Sequence, residues 1–233
     1  MLTGPQFSPA RLAEVRRRIE AAARVAGRDP SAVRLLAVSK QQPVAAIRAA
    51  FEAGQLEFGE NYLQEALPKI RELAALPVVW HFIGQLQGNK TRAVAENFAW
   101  VHTLDRERIA RRLSAQRPHH APPLEVLLQV RLDDEPDKGG AEPGQLPQLA
   151  EIVAGLPRLR LRGLMCIPAP AADAGPDVQR IPFAKLRALL ADLNARGHDL
   201  DTLSMGMSGD LEAAVAEGAT IVRVGTALFG PRD

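Results

Sequence analysis

Lys40 closes the run Val33-Arg34-Leu35-Leu36-Ala37-Val38-Ser39-Lys40, which is mostly apolar, repeats β-branched Val and is stopped by Gln41-Gln42-Pro43. Such a run reads as a short buried strand with the lysine at its carboxyl end. An ammonium half-removed from water loses hydration. A lysine there is therefore paired, deprotonated or used covalently, or it snorkels to the rim and makes a salt bridge.

Two turns late in the chain offer a complement to that amine. Ser204-Met205-Gly206-Met207-Ser208-Gly209-Asp210 joins a strand to a helix, with Gly residues for close backbone approach and Ser208 at the expected N-cap. Free amides at a helix N-terminus, with the dipole and a hydroxyl, suit an anion, although plain N-capping needs the same residues. Arg223-Val224-Gly225-Thr226-Ala227-Leu228-Phe229-Gly230 follows the next strand as a second such turn. Adjacent anion-binding turns and a strand-end amine together suggest a phosphorylated aldehyde held as a Schiff base, which means pyridoxal 5'-phosphate.

The elements that must position these residues alternate regularly. Ser8-Pro9 opens an amphipathic helix over 10–26, with Leu12, Val15 and Ile19 at helical spacing and Gly27 at its end. After the Lys40 strand the pattern predicts helices near 43–53, 62–75, 89–97, 106–116, 145–154, 183–196 and 208–217. Between them come strands near 56–61, 77–84, 100–104, 124–130, 161–167, 202–205 and 220–224. Eight strand candidates separated by helical segments favour an α/β fold, a closed (β/α)8 TIM barrel, as one domain over 1–233 with the N-terminal helix completing the ring. In such a barrel Lys40, Asn61, His81, Gly84-Gln85, Lys138, Pro168, Ser204 to Ser208 and Gly225-Thr226 gather on one face.

Composition narrows the classes. A formal net charge of +2, with Arg and Lys dispersed among Asp and Glu, gives no basic stripe for nucleic acid. The lone Cys166, inside Leu164-Met165-Cys166-Ile167, excludes an internal disulfide and reads as a buried structural thiol in a reducing compartment. The five His show no metal-ligand spacing, so no metal is expected, and His119, His120 and His198 read as solvent-facing. No stretch is long and apolar enough to span a membrane, and Met1-Leu2-Thr3-Gly4-Pro5 lacks the basic and apolar regions of a signal peptide. The expectation is a cytoplasmic protein.

Six blocks carry a family resemblance: Ala37-Val38-Ser39-Lys40, Phe58-Gly59-Glu60-Asn61-Tyr62, the run from Trp80-His81-Phe82-Ile83-Gly84 to Lys90, Gly163-Leu164-Met165, Leu203 to Ser208, and Val222 to Gly230. In this order they strongly resemble the pyridoxal phosphate homeostasis proteins of the YggS/PROSC type. The resemblance implies a fold like the N-terminal barrel domain of alanine racemase, with the cofactor held as a Schiff base on Lys40. It implies phosphate binding by Ser208 and the backbone of Gly225 and Thr226, with Arg223 facing the pyridine nitrogen. Asn61, His81 and Met205 would line the pocket, and Lys138 would lie near it. The Pro/Ala/Gly-rich segment between Ile167 and Phe183 matches no family block, and the chain ends at Asp233, soon after the last of them.

A guanidinium opposite the pyridine nitrogen keeps that nitrogen unprotonated and weakens the ring as an electron sink. Barrel racemases of this cofactor class use a second-domain tyrosine as the opposing base, whereas the only tyrosine here is Tyr62, at an expected helix start. The leading expectation is a protein of cofactor homeostasis that holds pyridoxal phosphate on Lys40 and passes it to apoenzymes, as a monomer. The alternative is a low-activity amino-acid racemase. A third reading, a barrel that binds a phosphate ester and uses Lys40 electrostatically, predicts no chromophore.

Overall fold

The structure, a computed structural model, describes residues 7–132, 139–169 and 175–230. Helix α1 (Pro9–Val25) precedes β1 (Arg34–Val38), and then strand and helix alternate: α2 (Val44–Glu52), β2 (Glu57–Glu60), α3 (Leu63–Glu72), β3 (Val79–Phe82), α4 (Thr91–Asn97), β4 (Trp100–Leu104), α5 (Glu107–Gln116) and β5 (Leu124–Gln129). The second half continues through α6 (Leu146–Ala154), β6 (Leu159–Met165), α7 (Pro176–Ala195), β7 (Thr202–Ser204), α8 (Leu211–Ala216), β8 (Ile221–Val224) and α9 (Thr226–Phe229).

The strands form a closed parallel barrel in the order β1 to β8, the architecture expected from the alternation. Closure comes from β8 against β1, with Arg34 opposite Ile221 and Ala37 opposite Val224. Outward-facing strand residues such as Phe58, Val101, Val126 and Val222 join the inner faces of the helices in one core. Leu12, Val15, Ile19 and Ala23 of α1 belong to it, and α1 lies against α8 and α9, completing the helical ring. The barrel interior holds two smaller apolar clusters, Leu36-Ile83-Ile221 and Trp100-Leu127-Met165. No helix among the described residues is long and apolar enough to cross a membrane.

Two helix starts, those of α7 and α8, lie furthest from the sequence expectation. Helix α7 begins at Pro176, where a start near Phe183 is expected, because Pro182 does not end the helix but sits inside it. The added turn is tied down by Arg180, whose Nε donates to Glu217 Oε1 at 2.6 Å. Helix α8 begins at Leu211, so Ser208 is not its N-cap. Asp210 takes that place, and its carboxylate accepts the Met207 N–H, closing a turn that the helical spacing does not foresee.

Candidate functional site

At the carboxyl ends of the strands lies a pocket of about 350 Å³. Lys40, Asn61, Ser208, Arg223, Gly225 and Thr226 all line it, with Val38, Ile83 and Ile167 as apolar wall. Barrel topology brings these residues together from four different strand ends, since each follows or closes β1, β2, β7 or β8.

Lys40 stands just past β1 on a braced turn. Ser39 donates its N–H to Gly59 O at 2.9 Å and its hydroxyl to Glu60 Oε1 at 2.6 Å. Lys69, reaching in from α3, donates to the same carboxylate oxygen and to Ser39 O, both at 2.9 Å. Beyond the lysine the chain turns sharply: Gln41 has φ +62°, and its N–H is held by Glu65 Oε2 at 2.9 Å. The half-buried Lys40 is thus carried on a backbone fixed on both sides. Burial pushes the Glu60 carboxyl above the ordinary carboxylate range, outweighing the opposing pull of Lys69 and Ser39.

Arg223 is 4% exposed and supplies charge to the pocket. Its Nη1 donates to Ser204 Oγ and its Nη2 to the carbonyl of Cys166, each at 2.8 Å. No carboxylate forms an ion pair with it among the described residues. Burial lowers its pKa, but a guanidinium titrates so high that it keeps its charge. Two orphaned acceptors add to the demand for a ligand: Asn61 Oδ1 and Gln42 Oε1 are buried without a hydrogen-bond partner among the described residues, and both residues line the pocket. A buried cation that Asp210 reaches only without contact, two hydroxyls, an amine and two unmatched acceptors in one cavity suit a small anionic molecule with its own polar donors.

Of the two turns expected to bind an anion, only the second opens directly into a helix at pocket-lining residues, Gly225 and Thr226. Helix α8 has only six residues and starts beyond Ser208, and α9 has four. Ser208, Thr226 and Arg223 all line the pocket.

His81 and Met205 are absent from the pocket lining. Ser204 faces into the barrel, so Met205 faces outward and is fully buried in the main core, and Met207, two residues on, reaches the pocket. On β3, His81 and Ile83 share the inner face, and Ile83 lines the pocket while His81 lies deeper in the barrel interior, stacked on Trp100 at 5.4 Å. Lys138 and residues 170–174 of the 168–182 loop lie outside the described residues. Cys166 is buried, while His119 and His120 are exposed and His198 is half-buried.

Sequence reasoning missed Glu60 and Lys69 behind Lys40, and His102 behind Arg223. His102 Nδ1 lies 2.9 Å from Ser204 Oγ, and its Nε2 lies 2.9 Å from His81 Nδ1. Burial holds both imidazoles well below the ordinary histidine range, so both are neutral at pH 7. No group of metal-binding side chains occurs among the described residues.

The family described as alanine racemase, N-terminal domain, matches residues 10–233. The pyridoxal phosphate homeostasis protein of Pseudomonas aeruginosa is 61% identical over 222 residues, covering 95% of this chain and 94% of its own length. Among solved structures, PipY of Synechococcus elongatus without PLP is similar with a TM-score of 0.84 and 41% identity, over 95% of this chain and 99% of that one. PipY with PLP bound aligns with a TM-score of 0.78 and 40% identity, over 91% and 100%.

Proposed function

The chain belongs to the family of pyridoxal phosphate homeostasis proteins, and from that premise we propose that it binds pyridoxal 5'-phosphate in the strand-end pocket and keeps it available to other proteins. Lys40 is the point of covalent attachment, its amine condensing with the cofactor aldehyde to a Schiff base with loss of water. Ser208, Gly225 and Thr226 hold the phosphate, Arg223 faces the ring nitrogen, and Asn61 offers its unmatched oxygen to the ring substituents. Bound there, the cofactor supplies an electrophilic carbonyl and an electron-accepting ring.

The observation that carries this reading is the convergence of Lys40 and a charged Arg223, in no ion pair among the described residues, on a single cavity. It also argues for custody over catalysis. A guanidinium beside the ring nitrogen disfavours protonation there, and strong electron-sink chemistry would want a carboxylate in its place. Tyr62, the only tyrosine, is 50% exposed, lies at the N-cap of α3 and does not line the pocket, which weighs against a tyrosine base for racemisation. The chain works as a cytoplasmic monomer that hands the cofactor to apoenzymes; its lone buried Cys166 suits a reducing compartment.

The test is the near-ultraviolet and visible spectrum of the purified protein with and without added pyridoxal phosphate, beside Lys40→Ala. A visible band in the native protein that the variant lacks is expected, followed by recovery of activity in an apoenzyme given the loaded protein. No band after cofactor addition, or a borohydride-trapped adduct on a different lysine in Lys40→Ala, overturns the assignment. Exchange of an amino acid's α-proton for solvent deuterium would favour the racemase.

A further inference from the structure

A line of buried polar groups crosses the barrel interior from the pocket to the amino ends of the strands. Arg223 Nη1 donates to Ser204 Oγ at 2.8 Å, Ser204 Oγ meets His102 Nδ1 at 2.9 Å, and His102 Nε2 meets His81 Nδ1 at 2.9 Å. His81 Nε2 then faces Glu57 Oε2 at 3.6 Å. Those last two atoms are buried and have no hydrogen-bond partner among the described residues, so each is the other's recourse. Glu57 Oε1 accepts from Arg34 Nη1 at 3.2 Å, so the line ends on an ion pair.

The Glu57 end, with both imidazoles neutral, sets the direction of every bond back to Arg223. A guanidinium only donates and a carboxylate only accepts. The Glu57 carboxylate faces His81 Nε2, so a neutral His81 carries its proton there and accepts at Nδ1. His102 therefore carries its proton on Nε2 and donates it to His81 Nδ1, which leaves His102 Nδ1 to accept. Ser204 Oγ, which accepts from Arg223 on one lone pair, turns its own hydrogen to His102 Nδ1.

We propose that Ser204, His102 and His81 are positioning residues that hold Arg223 beneath the pocket through a one-way chain of hydrogen bonds ending on His81, whose Nε2 faces the Glu57 carboxylate. The arrangement solves a conflict. A carboxylate in direct contact would orient Arg223 but neutralise it. Ser204 instead gives the guanidinium a neutral acceptor, polarised from behind, and the Cys166 carbonyl fixes its other arm. No carboxylate among the described residues touches the guanidinium, Asp210 acting on it only without contact, so its positive charge faces the pocket, and Glu57 is kept away from an anion there. Which ligand uses the charge rests on the function proposed above; the chain itself does not.

The test has one arm without ligand and one with it. In the ligand-free protein labelled with nitrogen-15 at histidine, long-range proton–nitrogen spectra at neutral pH should show two buried imidazoles, both neutral and both protonated at Nε2. A proton on Nδ1 of either ring, or an imidazolium, overturns the chain. In the second arm, Ser204→Ala should release the His102 tautomer and weaken pyridoxal phosphate binding by about tenfold or more, as loss of a hydrogen bond to a charged group does. Ser204→Thr should restore both, which a merely space-filling serine would not require. A folded Ser204→Ala with unchanged tautomers and unchanged affinity refutes the positioning role. Should that variant not fold, the tautomers of the native protein still decide. A native protein that shows the tautomers but binds no pyridoxal phosphate would refute the proposed function and leave the chain standing.

Discussion

Lys69 Nζ lies 2.9 Å from the carbonyl oxygen of Ser39, so a cation from α3 grips the residue immediately before Lys40. The same ammonium pairs with Glu60, whose side chain is fully buried. Removing one partner of such a pair leaves the other charge without compensation, a loss of about 3–5 kcal/mol. Lys69→Met should lower stability to urea by that order and, on the attachment proposed above, slow covalent loading at Lys40. The double variant Glu60→Gln/Lys69→Met, which leaves no buried charge, should recover much of the stability. A single variant that unfolds within about 1 kcal/mol of the native protein would show that the pair does not brace the turn.

Stability should fall as the pH drops below about 6.5. Burial holds His81 and His102 well below the ordinary range, whereas the unfolded chain takes up a proton on each near its ordinary value. The unfolded state then binds more protons than the native one, and stability declines with falling pH by up to about 1.4 kcal/mol per pH unit for each group. Glu60 and Asp105, raised by burial, act in the opposite sense at lower pH. They are common to native and variant, so they cancel in a comparison. Urea melts between pH 7 and 5 should show a slope shallower by about one such increment in His102→Gln than in the native protein. Equal slopes would mean that His102 titrates normally in the fold.

The barrel is legible in the sequence because each layer repeats one physical pattern: a short β-branched run, then a helix with one apolar stripe. Strand β4 is read to the residue, Trp100 to Leu104. What the pattern hides is which way a strand residue faces. His81 and Ile83 share the inner face of β3, and only depth in the barrel decides that the isoleucine meets the pocket. Lys69 is a charged residue on a polar helix and reads as solvent-facing until Glu60 is placed beside it. His102, in Trp-Val-His-Thr-Leu, becomes meaningful only once Ser204 faces it across the barrel, 102 positions later. Pairings between elements so far apart leave no local signal.

Gly84 can be only glycine. A Cβ there would sit 2.8 Å from Asn61 Cα and closer still to the Asn61 carbonyl carbon and oxygen, all backbone atoms. The peptide has no room to retreat, because Thr103 Oγ1 donates to Gly84 O at 2.6 Å. Gly84→Ala should therefore displace Asn61 from the pocket, cost about 1–3 kcal/mol as overpacking does, and weaken pyridoxal phosphate binding. Gly88, where an added Cβ would meet no heavy atom within 4 Å, is the control. Thermal melts and cofactor titrations of both variants check this, and a Gly84→Ala protein indistinguishable from Gly88→Ala would contradict it.

Arg18 should matter to binding more than to stability. From α1 it forks onto Glu212, with Nε–Oε1 at 2.7 Å and Nη2–Oε2 at 2.9 Å, and its Nη2 also donates to Ser208 O at 3.1 Å. The ion pair is partly exposed, so solvent screening holds its contribution to about 1 kcal/mol or less. The bond to Ser208 O is different in kind, since it fixes the turn whose hydroxyl faces the pocket. Arg18→Ala should leave the urea midpoint nearly unchanged while weakening pyridoxal phosphate several-fold, the size of one lost hydrogen bond. Inorganic phosphate should lose potency as a competitor to a similar degree, because the defect lies at the Ser208 turn, proposed above to hold the phosphate, and not at Lys40. Arg18→Lys should not rescue it, as an ammonium cannot hold Glu212 in a fork and reach Ser208 at once. A variant that binds as tightly as the native protein would show that the turn keeps its shape without α1.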